Sequence, residues 1–467
     1  MKEIIYAIFL SFFLCGLCGN AEAKKKKEVK KSIKREVQTP YDKLFKGKKA
    51  FTVNGLMKMH LMAGKVYAEF PIELLNRDLA LTSSIEDISD NGEGVVGQFA
   101  GRVNQFRFTL QDSMLQARLV RRYGVKNTGM GKNADQIIER SNTPGIFQSY
   151  KILAYTPDKK AVVVDMTELF LESSRLTNPF PSYAGNSLYG FVQRIHKFQS
   201  QRSELLGICG NDNSMSVHCN LGFNVDRLVL GSFMQAKDVP VSVTVNKILM
   251  LLPEDPMRPR LADSRIGVNA IIQTELPDVC QGIKTYYITK RWRIEPVDEI
   301  RYKQGEMVDV KKPIVFYIDT LMPDSWIKYV KAGAEAWNAA FEKIGLRNVV
   351  RTELFPKDSS FDAGDIHNSV IRYAPSWMYY PQYSMHTDPR TGEILNASVY
   401  LPANVASYFY TSRTEETMAV DPSVRKARLS EEQFGEMFKA KMMQAIGRCL
   451  GLTDNYAASS VYPVDSL

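Results

Sequence analysis

The polar residues at the end of a predicted helix near residue 450 are the first candidates for chemistry. The segment Gln444–Asn455 reads QAIGRCLGLTDN, in which Gln444 and Arg448 lie one helical turn apart on one face. Asp454 offers an oxygen ligand to a metal, whereas Gln444 is a poor neutral ligand and Arg448 is a permanent cation. These residue types therefore do not favour a metal site.

The helix that carries these residues has a recognisable start and one apolar face. Ser430 with Gln433 fits a capping box, in which each side chain bonds the backbone of the other residue. The apolar stripe consists of Phe434, Phe438, Met442, Ala445 and Cys449. This pattern predicts a helix that packs on one side.

Strands and helices alternate ahead of this helix. The run IVFYID predicts a strand that ends at Asp319, and Pro323 opens a predicted helix. The apolar face of that helix comprises Val330, Ala334, Trp337 and Phe341. SVIRY (369–373) and ILNASVYL (394–401) predict two further strands, so residues 306–467 form a predicted α/β or α+β domain.

The chain before residue 306 is predicted to be rich in antiparallel strands. Leu56–Met62 and Lys65–Ile72 alternate apolar and polar residues on either side of Ala63-Gly64, which predicts a β-hairpin. We expect one β-rich domain over 38–140 and a second over 141–305 with a polar, loop-rich middle. Further predicted strands are Gly94–Phe99, Gln105–Leu110, Met114–Val120, Tyr150–Tyr155, Ala161–Met166, Ser242–Leu252, 267–272 and Thr285–Ile294. The predicted fold class is α+β.

Residues 1–23 have the pattern of a secretory signal peptide. Lys2 precedes an apolar run that ends in the small-x-small site Ala21-Glu22-Ala23. The run is short for a membrane span, although an uncleaved anchor is the alternative. We therefore expect an exported protein, either periplasmic, cell-surface or secreted, with no transmembrane span after cleavage.

Most of the net charge of +9 lies in a basic leader over residues 24–37. Residues 24–36 hold eight basic and two acidic residues, so 8 − 2 gives +6. The stretch Lys24–Arg35 either contacts an anionic surface or is simply solvated and disordered. The rest of the chain lacks interleaved arginine and aromatic residues, so no nucleic-acid partner is expected.

Four cysteines follow the predicted cleavage site, which is too few for a disulfide scaffold in a chain of 467 residues. Cys209 and Cys219 flank a short polar segment. They either close a small loop or remain free thiols.

Six stretches occur in the order in which a known protein family has them. They are LLPEDPMRPRLADSRIG (251–267), KPIVFYID (312–319), YVKAGAEAWNAAFEKIGLRN (329–348), SVIRY (369–373), DPRTGEIL (388–395) and NYAASSVYPVDSL (455–467). Together they resemble the secreted bacterial zinc-dependent metalloproteases of the metzincin type, which have two N-terminal domains of unknown function. The resemblance implies a metzincin-like metalloprotease domain over 306–467.

In that family the last helix carries His-Glu-x-x-His-x-x-Gly-x-x-His, which binds zinc and supplies a general base. The resemblance places Gln444, Arg448 and Asp454 at the ligand positions and Ala445 at the base position, and it retains Gly451. At about 4 Å and an effective dielectric of about 20, a cation such as Arg448 repels a dication by roughly 8 kcal/mol before solvent relaxation. A structural zinc site gains about 10–16 kcal/mol. We therefore expect no catalytic zinc and no other cofactor.

The same resemblance suggests a replacement for the metal. Arg448 and Asp454 would converge in the parent geometry, so they either form an ion pair, with Gln444 bonded to one of them, or remain solvated.

Two further sites follow only from the resemblance. Related metalloproteases often bind a second, structural metal, for which Asp365, His367, His386 and Asp388 are the candidates here; loop histidines without metal are the alternative. The family also binds substrate as an added β-strand, and the corresponding edge is Ile394–Leu401. Its peptide-binding residues would be Ile394, Asn396, Ser398 and Tyr400, and an ordinary sheet edge is the alternative.

These observations favour an exported pseudoprotease that binds a peptide or protein without cleaving it. One alternative is an active zinc metalloendopeptidase whose ligands come from elsewhere, and another is a truncated gene product without function. The resembled family continues beyond the segment that ends here at Leu467. We therefore expect either a fragment or a domain that ends early and packs differently.

Overall fold

The computed structural model describes residues 38–120, 125–129, 132–174, 176–180, 192–229, 233–277, 282–357, 361–376, 380–426, 428–455 and 458–461. The predicted signal peptide, the whole of the basic leader (24–37) and Cys280 lie outside these residues. Among the described helices, none is both long and apolar enough to cross a membrane.

The strands and helices have the following bounds. Before residue 180 the strands are β1 Phe51–Val53, β2 Lys58–Met62, β3 Lys65–Pro71, β4 Leu79–Ile88, β5 Phe99–Gln111, β6 Met114–Leu119, β7 Val125–Asn127, β8 Gly145–Lys151, β9 Ala154–Tyr155 and β10 Ala161–Asp165. From residue 192 they are β11 Val192–Asn211, β12 Ser214–Val229, β13 Phe233–Leu251, β14 Ala270–Leu276, β15 Lys284–Thr289, β16 Val308–Asp309, β17 Ile314–Ile318, β18 Leu346–Arg347, β19 Val350–Leu354, β20 Ser369–Ala374, β21 Gln382–Thr387 and β22 Ile394–Pro402. The helices are α1 Pro40–Phe45, α2 Lys132–Ser141, α3 Thr167–Leu171, α4 Glu299–Lys303, α5 Asp324–Glu335, α6 Asn338–Glu342, α7 Val405–Thr417, α8 Glu431–Cys449 and α9 Ala458–Val461.

Two antiparallel sheets enclose the larger hydrophobic core. The smaller sheet has the order β1-β2-β3-β10-β9, and the larger has the order β11-β12-β13-β4-β5-β6-β8. Phe70 of the smaller sheet and Phe108 of the larger meet with ring centroids 4.7 Å apart, and both side chains are buried. The larger sheet pairs β6 with β8, so strands from both sides of residue 140 share it. The domain boundary near residue 140 stays a prediction.

The predicted hairpin around Ala63-Gly64 is confirmed. β2 pairs with β3, and Ala63 and Gly64 form the two-residue turn with φ of 51° and 70°. Such turns match the twist of the flanking strands because both central residues have positive φ. The predicted strand Gly94–Phe99 is wrong, because this stretch forms turns and β5 begins only at Phe99.

The predicted loop-rich middle of the second domain is also wrong. Residues 192–229 form the long hairpin β11–β12, whose two strands are joined by a two-residue turn. Cys209 and Cys219 lie on this hairpin as free thiols, one exposed and one buried. Cys219 pairs with Leu205 and Cys209 with Ser216, so the strand register does not set the two thiols opposite each other.

The C-terminal part combines a mainly parallel sheet with helices. The sheet order is β19-β17-β20-β22-β21, in which only β21 runs antiparallel to its neighbour. Phe316 on β17, Val330 on α5 and Met442 on α8 share its buried core. Antiparallel sheets followed by this sheet and its helices make the protein an α+β fold.

The outer face of the seven-stranded sheet packs against the C-terminal sheet. Ile248 and Met250 share a small buried cluster with Ile366, and Leu395 packs against it. The Tyr400 hydroxyl donates to the Gly97 carbonyl at 2.8 Å. The described residues from Pro40 onwards form one compact unit by their contacts, and this unit includes both sheets.

Candidate functional site

Helix α8 begins at the capping box that the sequence predicts. The Gln433 backbone N–H donates to Ser430 Oγ at 3.2 Å, and the Ser430 N–H donates to Gln433 Oε1 at 3.1 Å. Two acidic residues, Glu431 and Glu432, occupy the first turn, where the helix dipole favours negative charge.

Close packing against α5, and against Trp337 in front of α6, fixes the rotation of α8. The indole of Trp337 lies against Gly447, where a Cβ atom would be 2.6 Å from Cζ2. The indole N–H also donates to the Met443 carbonyl at 2.8 Å. This packing buries Ala445 and leaves Gln444 exposed.

A tight turn at Gly451 brings the chain back towards the helix. Gly451 has φ +100°, and a Cβ atom there would lie 2.4 Å from the Lys290 carbonyl oxygen. Only glycine fits such a backbone approach without strain. The Thr453 N–H then donates to the Gly267 carbonyl at 2.9 Å, which fixes the residues just before Asp454.

Arg448 and Asp454 form the ion pair that the sequence suggested. The Arg448 Nη2 atom donates to Asp454 Oδ1 at 2.8 Å and to Oδ2 at 2.6 Å. The side chains are 27% and 42% exposed, so the pair is partly solvated. Asp454 raises the pKa of the Arg448 guanidinium, which keeps it charged. Among the described residues Gln444 bonds to neither partner, contrary to that part of the prediction.

A cavity of about 330 Å³ opens beside this ion pair. Its wall on α8 consists of Lys441, Gln444, Ala445 and Arg448, and residues 380–383 and Tyr408 form the rest. The Arg448 guanidinium carbon lies 5.6 Å from the centroid of the Tyr383 ring, which is within range of a cation–π contact.

The residues present at this position do not fit a catalytic zinc. Asp454 is engaged by Arg448, Gln444 offers at most a neutral amide oxygen, and Ala445 supplies no general base. Zinc catalysis needs three protein ligands and an open position for water. The arrangement can instead accept polar groups from a ligand, since the cavity presents two cations, an amide and tyrosine hydroxyls.

Among the described residues β21, and not β22, is a terminal strand of this sheet, which corrects the predicted peptide-binding strand. β22 pairs on one side with β20 and on the other with β21, so it is an inner strand. The predicted residues on it are buried: Ile394, Asn396, Ser398 and Tyr400. Asn396 Nδ2 donates to the Ile366 carbonyl at 2.9 Å and the Asn368 carbonyl at 2.8 Å, so it stabilises the structure internally. β21 ends the sheet, and its first residues line the cavity.

The four residues considered for a second metal do not come together as one set. His367 Nδ1 and Asp365 Oδ1 lie 2.7 Å apart. The Asp388 carboxylate accepts from Arg390 at 2.6 Å, and the buried His386 packs on Phe99 with ring centroids 4.4 Å apart. Within the part of the chain that the structure describes, neither ring nitrogen of His386 has a hydrogen-bond partner. The described residues contain one group whose ligand atoms lie within 4.8 Å of each other, and it consists of Glu86, His218 and Asp362.

The aromatic and basic residues around the cavity were not among the predicted site residues. Tyr380, Tyr383 and Tyr408 line it, and so does Lys441. The aromatic segment YYPQY at 379–383 was the available signal, since a cluster of tyrosines just before a strand is typical of a binding surface. Lys441 precedes Gln444 and Arg448 on the same helix face, which follows from its spacing.

Comparisons with known proteins agree with the resemblance at two places in the chain. Residues 426–467 match the family described as Met-zincin, and this match includes all of Gln444–Asp454. Residues 97–297 match a domain of unknown function (DUF5117), which spans most of the seven-stranded sheet. No curated protein and no solved structure matches the chain. The C-terminal segment is therefore similar to Met-zincins.

Proposed function

We propose that this chain is an exported, catalytically inactive relative of zinc-dependent metallopeptidases that binds a peptide segment. The observation that carries the proposal is the Arg448–Asp454 ion pair, which lies within the segment similar to Met-zincins. A guanidinium stands where the resembled family has a histidine ligand, and it engages the carboxylate that replaces another. Loss of the glutamate at Ala445 removes the base that would activate water.

Peptide binding is supported by the edge strand and the cavity, neither of which needs a metal. β21 lies at the end of its sheet, where an extended peptide can pair with the backbone. The cavity beside its first residues offers tyrosine rings and the ammonium group of Lys441. Among the described residues Lys441 has no ion-pair partner, so an acidic side chain of the peptide would complement it. Export is supported by the signal-peptide pattern of residues 1–23.

Peptide binding is tested with a peptide selected from a displayed library on the purified protein. We expect Tyr383→Ala to weaken its binding at least tenfold, because this ring lines the cavity and is 41% exposed. Tyr287→Ala is the matched control, since Tyr287 is an exposed tyrosine (51%) on the edge strand β15 outside this cavity. Equal Kd values for both variants, or failure to select any peptide, would count against the proposal.

A further inference from the structure

A cluster of potential metal ligands lies far from the site helix in sequence. Glu86 is on β4, His218 is on β12, and Asp362 lies between β19 and β20. Each offers one ligand atom, and these atoms all lie within 4.8 Å of one another. His218 Nδ1 lies 2.9 Å from Glu86 Oε1. The group therefore joins the seven-stranded sheet to the loop that precedes β20.

The strand register brings the first two residues together. His218 pairs with Asn246 on β13, and Asn246 pairs with Ser84 on β4, so these side chains form a row across the sheet. Glu86 follows Ser84 by two residues, so alternation along β4 puts it on the same face. Glu86 is also the extra residue of a bulge, where the pairing between β4 and β13 shifts.

The loop that carries Asp362 is anchored on the same row. Asn246 Nδ2 donates to Asp362 Oδ2 at 2.8 Å, and the Ser84 hydroxyl donates to the Gly364 carbonyl at 3.1 Å. The Gly364 N–H donates to Asp362 Oδ1 at 2.7 Å. These contacts hold the Asp362 carboxylate over the sheet in a defined orientation.

The amide that contacts Asp362 has an unsatisfied oxygen. Asn246 is fully buried and its Nδ2 atom bonds to Asp362, whereas among the described residues its Oδ1 atom has no hydrogen-bond partner. An unsatisfied buried polar atom costs free energy, and a bound cation is one way to satisfy an amide oxygen.

The net negative charge of the cluster also favours binding of a cation. Among the described residues no lysine or arginine forms an ion pair with Glu86 or Asp362, and His218 is the only basic side chain that contacts Glu86. Two carboxylates against one imidazole leave negative charge in a partly buried place. A dication coordinated by all three residues would neutralise it.

We propose that Glu86, His218 and Asp362 bind a divalent first-row transition-metal ion of the Zn²⁺ or Mn²⁺ type. One imidazole nitrogen with two carboxylate oxygens suits these ions better than Mg²⁺ or Ca²⁺, which favour oxygen ligands alone. Because the ligands come from the seven-stranded sheet and from the loop before β20, the ion fastens the β-rich part to the C-terminal part. This site is independent of the proposed peptide-binding function.

The test is calorimetric titration of Zn²⁺ into the full chain after treatment with a chelator. We expect one Zn²⁺ per chain, an affinity at least tenfold lower for His218→Gln and for Asp362→Asn, and an unchanged affinity for His367→Gln. His367 is the matched control, since it is an exposed histidine of the same loop outside the group. Asp362→Asn keeps the shape of the side chain and provides the comparison if His218→Gln does not fold.

Four results would overturn the metal site. The first three are the absence of stoichiometric binding, an affinity that His218→Gln or Asp362→Asn leaves unchanged, and an equal loss in His367→Gln. The fourth is Zn²⁺ binding that persists in His218→Gln but is lost in Asp454→Asn, which would locate the metal on α8. Only this fourth result counts against the proposed function, so the two proposals fail separately.

Discussion

The Arg448 guanidinium lies against both carboxylate oxygens of Asp454, at 2.8 and 2.6 Å, beside the cavity at the end of α8. Under the proposed function, both residues occupy positions where the resembled family has zinc-binding histidines. On that proposal the ion pair stands in place of a metal, because the two opposite charges satisfy each other. Its partial exposure decides how much it contributes to stability.

The ion pair is expected to show a small but measurable coupling in a double-mutant cycle. Arg448→Met, Asp454→Leu and the double variant are compared by urea unfolding. Since the side chains are 27% and 42% exposed, we expect a coupling of about 1 kcal/mol, at the upper end for exposed pairs because Arg448 contacts both oxygens. Additive losses would show that the two residues do not stabilise each other.

Gly451 is expected to be the least replaceable residue of the turn. Gly451→Ala places a Cβ atom 2.4 Å from the Lys290 carbonyl oxygen at φ +100°. Gly305 is the matched control, because it has φ +84° but nothing within 4 Å of the added atom. We expect a loss of about 1–2 kcal/mol in free energy of unfolding for Gly305→Ala and at least about 2 kcal/mol more for Gly451→Ala. Equal losses would show that only the dihedral angle matters.

His386 is expected to make the protein less stable in mild acid. Burial lowers the pKa of His386 to about 4, and no described residue bonds to either ring nitrogen. The unfolded chain therefore binds the proton first as pH falls below about 6.5. The free energy of unfolding falls between about pH 6.5 and pH 4 and then levels off, by about 3 kcal/mol in all from this group.

The measurement for His386 is urea unfolding of the wild type and of His386→Leu at several pH values. Leucine suits the position because the ring packs on Phe99 and is almost fully buried. We expect the difference in free energy of unfolding between the two proteins to change between about pH 6.5 and pH 4. Parallel profiles would contradict the low pKa of His386.

Restoring the imidazoles is expected to restore zinc binding on α8. Gln444→His, Arg448→His and Asp454→His are combined in the His218→Gln background, which removes the other proposed site. Because Gly451 still turns the chain back to the helix, we expect one Zn²⁺ per chain. Adding Gly451→Ala is the control and should abolish it. If the triple variant binds no more Zn²⁺ than its parent, positions 444, 448 and 454 do not converge as metal ligands must.

Local signals in the sequence identified the elements that carry the site. The capping box at Ser430 and the two-residue turn at Ala63-Gly64 depend on neighbouring residues only, so pattern sufficed for both. The long strand β11 was missed because its side chains are mostly polar and exposed, which makes its alternation weak. The polar segment at 211–214, which closes this hairpin, was the available signal.

The position of the sheet edge could not be predicted from the sequence. β22 has buried polar residues such as Asn396 and Ser398, and β21 also has buried ones, His386 and Thr387, after a more exposed start. Neither sequence pattern tells which strand pairs on both sides. Sheet order depends on contacts between distant segments. The cluster of Glu86, His218 and Asp362 was missed for the same reason, since its members are separated by more than a hundred residues.

The most direct test is to incubate the protein and Zn²⁺ with a peptide library and to analyse both the bound and the unbound peptides by mass spectrometry. We expect the protein to retain a subset of peptides at full length, with no new termini in either fraction. The His218→Gln variant should give the same pattern. New termini that appear with Zn²⁺ in both the wild type and His218→Gln, and that vanish with a chelator, would contradict the account, because α8 would then support hydrolysis.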